Sequence, residues 1–328
     1  MDPVSHAIIG TALSKFTGNG IGLSTAANIG IVIGSVFPDI DIALKKWGDY
    51  VYLKNHRVFT HSFPGLLISA GLISFVIKLL IPASDLLSIF IYTLGGCLSH
   101  TLFDILNSYG AKLLWPFYNK KLALNLLVIT DPILLLILTG YIFTGGITAY
   151  LFIGILIFYI LSRASTRYFL TKELKKMYAP LCKASVIPSM LGLFEWHFVL
   201  EKDEYTIVGE KNVISGKISI IDRLQKTQSH MLKEVLKSPV GKFFTDFTPL
   251  FHISLDTIGN IKRYTFTDLR YYVKNNFFHH AILELDENNS IVKSSFNPYS
   301  INRNSVIPSK CKSRSKGSLY KVAAKNGP

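Results

Sequence analysis

Long apolar runs in the first half of this chain limit what it can fold into. Stretches near 64–81, 86–106, 122–142 and 147–162 have the length and composition to cross about 30 Å of hydrocarbon as helices. A further run at 21–37 and a shorter one at 4–16 pair as a helical hairpin. Short breaks at Thr17–Gly20, Pro82–Asp85 and Thr144–Gly146 separate them. The expected fold is therefore mainly α, a polytopic membrane bundle of about six helices over residues 1–162.

Charge follows the same division. Residues 1–162 contain no glutamate, and their carboxylates are Asp2, Asp39, Asp41, Asp49, Asp85, Asp104 and Asp131. Nine of the 35 basic residues lie there, so this half carries 9 − 7 = +2, and the rest of the chain carries 26 − 14 = +12. Hydrophobic residues at 49% and charged residues at 17% fit a membrane half joined to a water-soluble half. If the runs are crossings, segments 38–63, 107–121 and 163 onward emerge on one side. Lys45, Lys46, Lys54, Arg57, Lys112, Lys120 and Lys121 lie there, whereas the loops near 82–85 and 143–146 have no lysine or arginine. The positive-inside rule makes that side cytoplasmic and predicts a multi-pass inner-membrane protein with both termini in the cytoplasm. The start, with Asp2 and His6, does not read as a secretory signal. Cys97, Cys182 and Cys311 are spaced as reduced thiols rather than as a disulfide framework.

Beyond the bundle, residues 163–195 read as a basic juxtamembrane linker, with Arg163, Arg167, Lys172, Lys175 and Lys176 placed for phospholipid headgroups. Alternating runs such as WHFVLEKDEYTIVGE and HAILELDENNSIV predict a small β-rich cytoplasmic domain over 196–300. The remainder, 301–328, has the composition of a basic disordered tail. Its charge, and that of the whole second half, is explained more simply by an anionic leaflet than by nucleic acid.

The chemistry-bearing residues fall on one side of this topology. His6 begins the first helix, and Asp39 and Asp41, in VFPDID, end the second. His56 and His61 lie in NHRVFTHS, and His100 and Asp104, four apart in GGCLSHTLFDIL, share a helical face. Histidine with aspartate is the donor mix of zinc and related divalent ions. Asp104 inside a membrane helix costs on the order of 2.5–3.5 kcal/mol on insertion scales and so needs a partner. Asp131 reads equally as a carboxylate orienting a ligating imidazole or as a partner for backbone groups near Pro132. His197, His230, His252, His279 and His280 have no matching carboxylate spacing and receive no role.

His6 with Gly10, then PDID, HRVFTHS, and HTLFD followed by NSYG and WPF, together resemble the YdjM-like family of membrane-bound, metal-dependent hydrolases over roughly residues 1–160. Val58 stands where family members usually carry glycine. The order of motifs is more distantly similar to the zinc-dependent phospholipase C and single-strand nuclease superfamily. That superfamily's second histidine–aspartate helix motif is missing, so one or two ions are expected rather than three.

The resulting expectation is a membrane hydrolase with Asp39 or Asp41, His56, His61, His100 and Asp104 as metal ligands and His6 at a second ion. Asp41 is also expected to act in catalysis. A bound divalent ion, zinc in the first instance, lowers the pKa of water and polarises the scissile group. The guanidinium fork of Arg57 is expected to meet a phosphate oxygen of a small-molecule or lipid phosphoester at the headgroup level. The alternatives are a metal-ion transporter, since intramembrane His and Asp also mark ion pathways, and a non-catalytic membrane regulator with a structural metal.

Overall fold

The structure is a computed structural model, and it describes residues 1–18, 20–180, 183–190, 192–227, 229–273, 276–297 and 305–306. Seven helices form the first half: α1 (Pro3–Ser14), α2 (Ala26–Val36), α3 (Asp49–Asn55), α4 (Phe63–Leu80), α5 (Leu86–Leu106), α6 (Pro132–Phe143) and α7 (Gly146–Met177). Four are long and apolar enough to span a membrane: Ala26–Trp47 (α2 continued by 3-10 turns), α4, α5 and α7. α1 and α6, at 12 residues each, extend about 18 Å and fall short of a bilayer core. They pack on each other, with Ile9 and Ala12 against Leu134, Leu138 and Tyr141. The expected six helices are therefore four long ones and two short ones, and each short one still runs antiparallel to the helix after it, with His6 and Gly10 beside Ser35 and Asp131 beside Tyr159.

The largest departure is at 122–142, expected as one helix but helical only from Pro132. The preceding apolar segment is held extended beside the end of α5. Leu124 donates its N–H to Ile105 O (2.6 Å), and Leu126 and Leu127 donate to Leu106 O (2.7 and 3.1 Å). These bonds satisfy carbonyls that a helix C-terminus leaves without partners. Capping α5 thus outweighed the segment's helical hydropathy.

α2 and α5 approach closely because glycines line their contact. A Cβ on Gly34 would lie 2.4 Å from Thr93 O, and one on Gly96 would lie 2.2 Å from Ile31 O. Small residues that bring backbones together are the usual device for helix pairs in lipid. This pairing sets the end of α2 directly beside His100.

The second half holds β1 (Lys183–Pro188), β2 (Glu195–Glu201), β3 (Tyr205–Asn212), β4 (Ile218–Gln225), α8 (Ser229–Lys237), α9 (Pro239–Phe247), β5 (Phe251–Ile258), β6 (Ile261–Asp268), β7 (Tyr272–Val273), β8 (Asn276–Phe277), β9 (His280–Leu285), β10 (Ile291–Asn297) and β11 (Ser305–Val306). β1–β4 form an antiparallel meander, and a second antiparallel sheet runs β11-β10-β9-β6-β5. β1 lies inside the segment expected as linker. Leu170 and Leu174, near the end of α7, pack with Val186, Trp196 and Phe198 of this meander. The tail expected to be disordered lies outside the described residues, apart from β11.

The two halves meet at the end of the bundle that carries the His and Asp residues. Tyr52 and Leu53 of α3 enter the same core as Phe243, Phe244 and Phe247 of α9 and Phe266 and Phe296 of the second sheet. Lys112 Nζ pairs with Asp246 (2.8 Å), and Arg270 Nη1 donates to Ser108 O (3.1 Å).

Candidate metal centre

Four donor atoms converge where α2, the 56–62 loop and α5 end. His61 Nε2 and His100 Nε2 are 3.1 Å apart. His61 Nε2 lies 3.3 Å from Asp104 Oδ2 and 3.5 Å from Asp39 Oδ1. His100 Nε2 lies 3.5 Å from Asp39 Oδ1 and 3.8 Å from Asp104 Oδ2. Zinc bonds of about 2.0–2.1 Å in tetrahedral geometry place donors about 3.3 Å apart. The observed separations bracket that value.

Hydrogen bonding fixes both imidazoles in the form that a cation requires. His100 Nδ1 faces the carbonyl of Ser35 at 2.7 Å; a carbonyl only accepts, so Nδ1 carries the proton and Nε2 keeps its lone pair. The Thr60 hydroxyl donates its single proton to Asp41 Oδ2 (3.1 Å) and accepts from His61 Nδ1 (3.0 Å), which leaves His61 Nε2 with a lone pair as well. Two buried lone pairs facing each other repel unless a proton or cation lies between them. Burial alone would lower the pKa of His61, but Asp104 and Asp39 raise it above the ordinary value; the carboxylates draw a positive charge to this point.

The buried polar atoms without hydrogen-bond partners lead to the same place. Among the described residues they include Asp39 Oδ1 and both ring nitrogens of His6, while Asp104 Oδ2 has the Arg57 guanidinium beside it, 3.0 Å from Nε. Leaving a buried oxygen unsatisfied costs about 1–3 kcal/mol, and a divalent ion at this point would satisfy Asp39 Oδ1 while sharing Asp104 with Arg57. These residues therefore fit the metal that their chemistry implies. His6 stacks on His100 with ring centroids 3.6 Å apart, and its Nε2 lies 3.4 Å from Asp104 Oδ1. The amine of Met1 also donates to Asp104 Oδ1.

Asp39, Asp41 and His56 form a second group with donor atoms within 4.8 Å of one another. Here the oxygens of Asp41 are already engaged: Oδ1 accepts from His56 Nδ1 (2.8 Å), and Oδ2 accepts from the Arg57 N–H (3.1 Å) as well as from Thr60. Asp41 thus holds the loop that presents His56 and His61. Burial pushes the His56 pKa down to about 4 despite the Asp41 bond, which keeps the imidazole neutral.

Arg57, expected to meet a substrate oxygen, is buried and turned inward. Its Nε lies 3.0 Å from Asp104 Oδ2, and Nη1 donates to Asn107 Oδ1 (3.2 Å) and Gly110 O (3.4 Å). Its backbone adopts φ 64°, the left-handed region, at one edge of the stretch where the family usually carries glycine. Among the described residues Asp131 is not bonded to any imidazole. It caps α6 through Leu134 N (3.0 Å) and accepts from Tyr159 Oη (2.8 Å), so the backbone reading holds. The residues that the sequence reading missed are Ser35, Thr60 and Asn107. Ser35 contributes only a main-chain carbonyl, and Thr60 and Asn107 are residue types with no metal signal of their own.

Three of the C-terminal histidines bond elsewhere. His197 Nε2 donates to Leu269 O (2.8 Å), His280 Nε2 faces Phe277 O (2.8 Å), and His279 Nε2 meets Tyr109 Oη (3.0 Å).

Comparison with known proteins follows the same two-part division. The chain is 27% identical over 309 residues to a Bacillus subtilis (strain 168) protein named "Uncharacterized protein YfhP", covering 90% of this chain and 94% of that one. The profile of the YfhP C-terminal alpha/beta plait domain matches residues 230–304, which takes in α9 and strands β5 to β10 but not the β1–β4 meander. No solved structure matches. The YdjM inner membrane protein profile matches residues 1–172, which include every donor of the metal centre, and the chain belongs to that family.

Proposed function

We propose that this membrane protein is a metal-dependent hydrolase acting on a phosphoester at the lipid headgroup level. The observation that carries the reading is the convergence of ligand atoms of His61, His100, Asp39 and Asp104 within 4.8 Å of one another. These four would hold the ion, and when bound it would supply Lewis acidity toward water and the scissile group. Asp41 orients His56 and, through Thr60, His61. With Nδ1–H held on Asp41, the neutral His56 keeps Nε2 free to accept a proton. Arg57 acts as a positioning residue, holding Asp104 against the 107–110 turn.

The substrate class follows from the approach to the site. A cavity of about 380 Å³ includes Asp39 and His56 in its wall, and Pro3, Val36, Ile40 and Ile42 supply most of the rest. Ile40 and Ile42 are half exposed. A polar group reaching the donors with an apolar chain beside it suits an amphiphile better than a sugar or a peptide. The positive-inside bias supports a cytoplasmic face for the site and both termini. A transport pathway finds less support. At the opposite end, Lys78 donates to Pro82 O and Ser84 O, and Asp85 caps α5, so both charges serve helix termini.

The test is metal analysis of the detergent-purified protein, with a panel of phosphoester, carboxylic ester and peptide substrates. One bound ion per chain and phosphoester cleavage are expected. Two ions would assign His56 to metal rather than to proton transfer, and cleavage of peptides alone would overturn the phosphoester reading. Arg57→Lys separates its two roles: a positioning residue predicts weaker metal binding, whereas direct substrate contact predicts slow turnover with the metal unchanged.

A further inference from the structure

A second cavity, of about 490 Å³, lies in the seam between the 108–125 segment and the C-terminal domain. It is lined by Lys120, Lys121, Lys183 and Arg270, and its carboxylate is Asp246. Most of these charges are already neutralised. Asp268 holds Arg270 with contacts of 2.7–3.1 Å, Lys112 holds Asp246 at 2.8 Å, and Glu201 lies 3.5 Å from Lys183 in an exposed pair. Counting the lining and these partners gives five cations against three carboxylates, an excess of +2. That excess belongs to Lys120 and Lys121, which have no carboxylate within salt-bridge distance among the described residues.

We propose that this seam cavity binds a phosphate-bearing anion through Lys120 and Lys121. Two unpaired ammonium groups in one concave site match the charge of a phosphate. Ser185, Thr245 and Asn125 add neutral hydrogen-bonding groups to the wall. The volume exceeds what phosphate alone needs, and Phe247, Leu250 and Phe251 give an apolar wall for an organic group attached to it. Burial first, then Arg270 and Arg57, push the Lys121 pKa down to about 7. A bound anion offsets that crowding and draws Lys121 to its charged form.

The cavity is distinct from the metal centre but adjoins it. Tyr109 lines the cavity, and its ring lies 5.0 Å from Arg270 Cζ and 5.5 Å from Arg57 Cζ. The proposal does not depend on hydrolase activity. The phosphate has two possible sources. A soluble organic phosphate fits the seam, and the exposed Phe117 and Tyr118 beside Lys120 place it within reach of a lipid headgroup.

The experiment uses the full chain in maltoside detergent, titrated calorimetrically with glycerol 3-phosphate or with phosphatidylglycerol in mixed micelles. Binding of the first probe identifies a soluble ligand, and binding of the second alone identifies a headgroup; either supports the site. Lys121→Gln should weaken binding roughly tenfold or more, whereas Lys121→Arg, which keeps the charge, should retain it. Lys120→Gln, at an exposed position, repeats the test if the Lys121 variant does not fold. The control is Lys217→Gln, an exposed charge between β3 and β4 that does not line the cavity. Absence of binding by both probes, full binding by Lys120→Gln and Lys121→Gln, or an equal loss in Lys217→Gln overturns the proposal.

Discussion

Adding one methyl group at Gly96 should disable the metal centre without touching a ligand. A Cβ there would lie 2.2 Å from Ile31 O and 2.9 Å from Ser35 N, both backbone atoms of α2 that cannot swing aside. Reaching ordinary contact at 3.4 Å requires α2 and α5 to separate by about 1.2 Å (3.4 − 2.2). Transmitted to the neighbouring His100 Nδ1–Ser35 O bond, that movement stretches 2.7 Å to about 3.9 Å, beyond hydrogen-bond range. His100 then loses the contact that fixes its tautomer and aims Nε2. Loss of such an orienting bond typically lowers metal affinity about 10- to 100-fold, or about 1.4–2.8 kcal/mol. Competitive chelator titration of purified protein measures the change, and a thermal melt verifies that the variant is folded. The paired control is Gly95→Ala: one residue away on the same helix, a Cβ at Gly95 meets nothing within 4 Å. It should bind metal as the unmodified chain does. A folded Gly96→Ala protein with unchanged affinity, or equal losses in both variants, would refute the reasoning.

Three other perturbations address separate parts of the structure. His100→Ala and Asp104→Ala should lower metal content to similar extents, and the double variant should lose little more than either, because the donors act as one unit; additive losses by elemental analysis would count against a shared ion. Topology reporters fused after residues 83, 118 and 178 should read outside, inside and inside, and an outward reading at 178 would reverse the sidedness of the site. In the C-terminal domain, burial lowers His197 and His279 to about 4. Between the unfolded value near 6.5 and about 4, the unfolded chain binds protons that the folded domain does not. Stability is therefore complete above pH 6.5 and falls as pH drops through that window, by about 3 kcal/mol for each histidine. Hydrogen exchange of β2 and β9 amides, corrected for intrinsic rate, should follow this decline, and a flat profile from pH 7 to 4.5 would contradict it.

The membrane character and most members of the His/Asp cluster were legible without coordinates. Hydropathy is a local property, so α4, α5 and the apolar part of α7 stand out as runs. His100 and Asp104 share a face through helical spacing alone, and His6, Asp39 and His61 follow from reading sidedness off charge. What hydropathy does not encode is where a backbone group finds its partner. Residues 122–131 are as apolar as a helix, yet their N–H groups cap α5 across the chain. For the same reason Ser35 was invisible as the group that orients His100, since any residue carries a carbonyl and only the glycine contact between α2 and α5 places this one. Arg57 and Asp41 show how tertiary structure decides roles among residues of suitable chemistry. The 56–62 loop folds back on Asp41, and the 107–110 turn takes the guanidinium, so both hold the site together rather than project from it. The docking of the C-terminal domain joins Tyr52 and Leu53 to the Phe243–Phe247 core, and Lys112 to Asp246 and Arg270 to Ser108, more than a hundred residues apart in sequence. No local pattern records such pairs, because their stability comes from burial that exists only once both halves have folded.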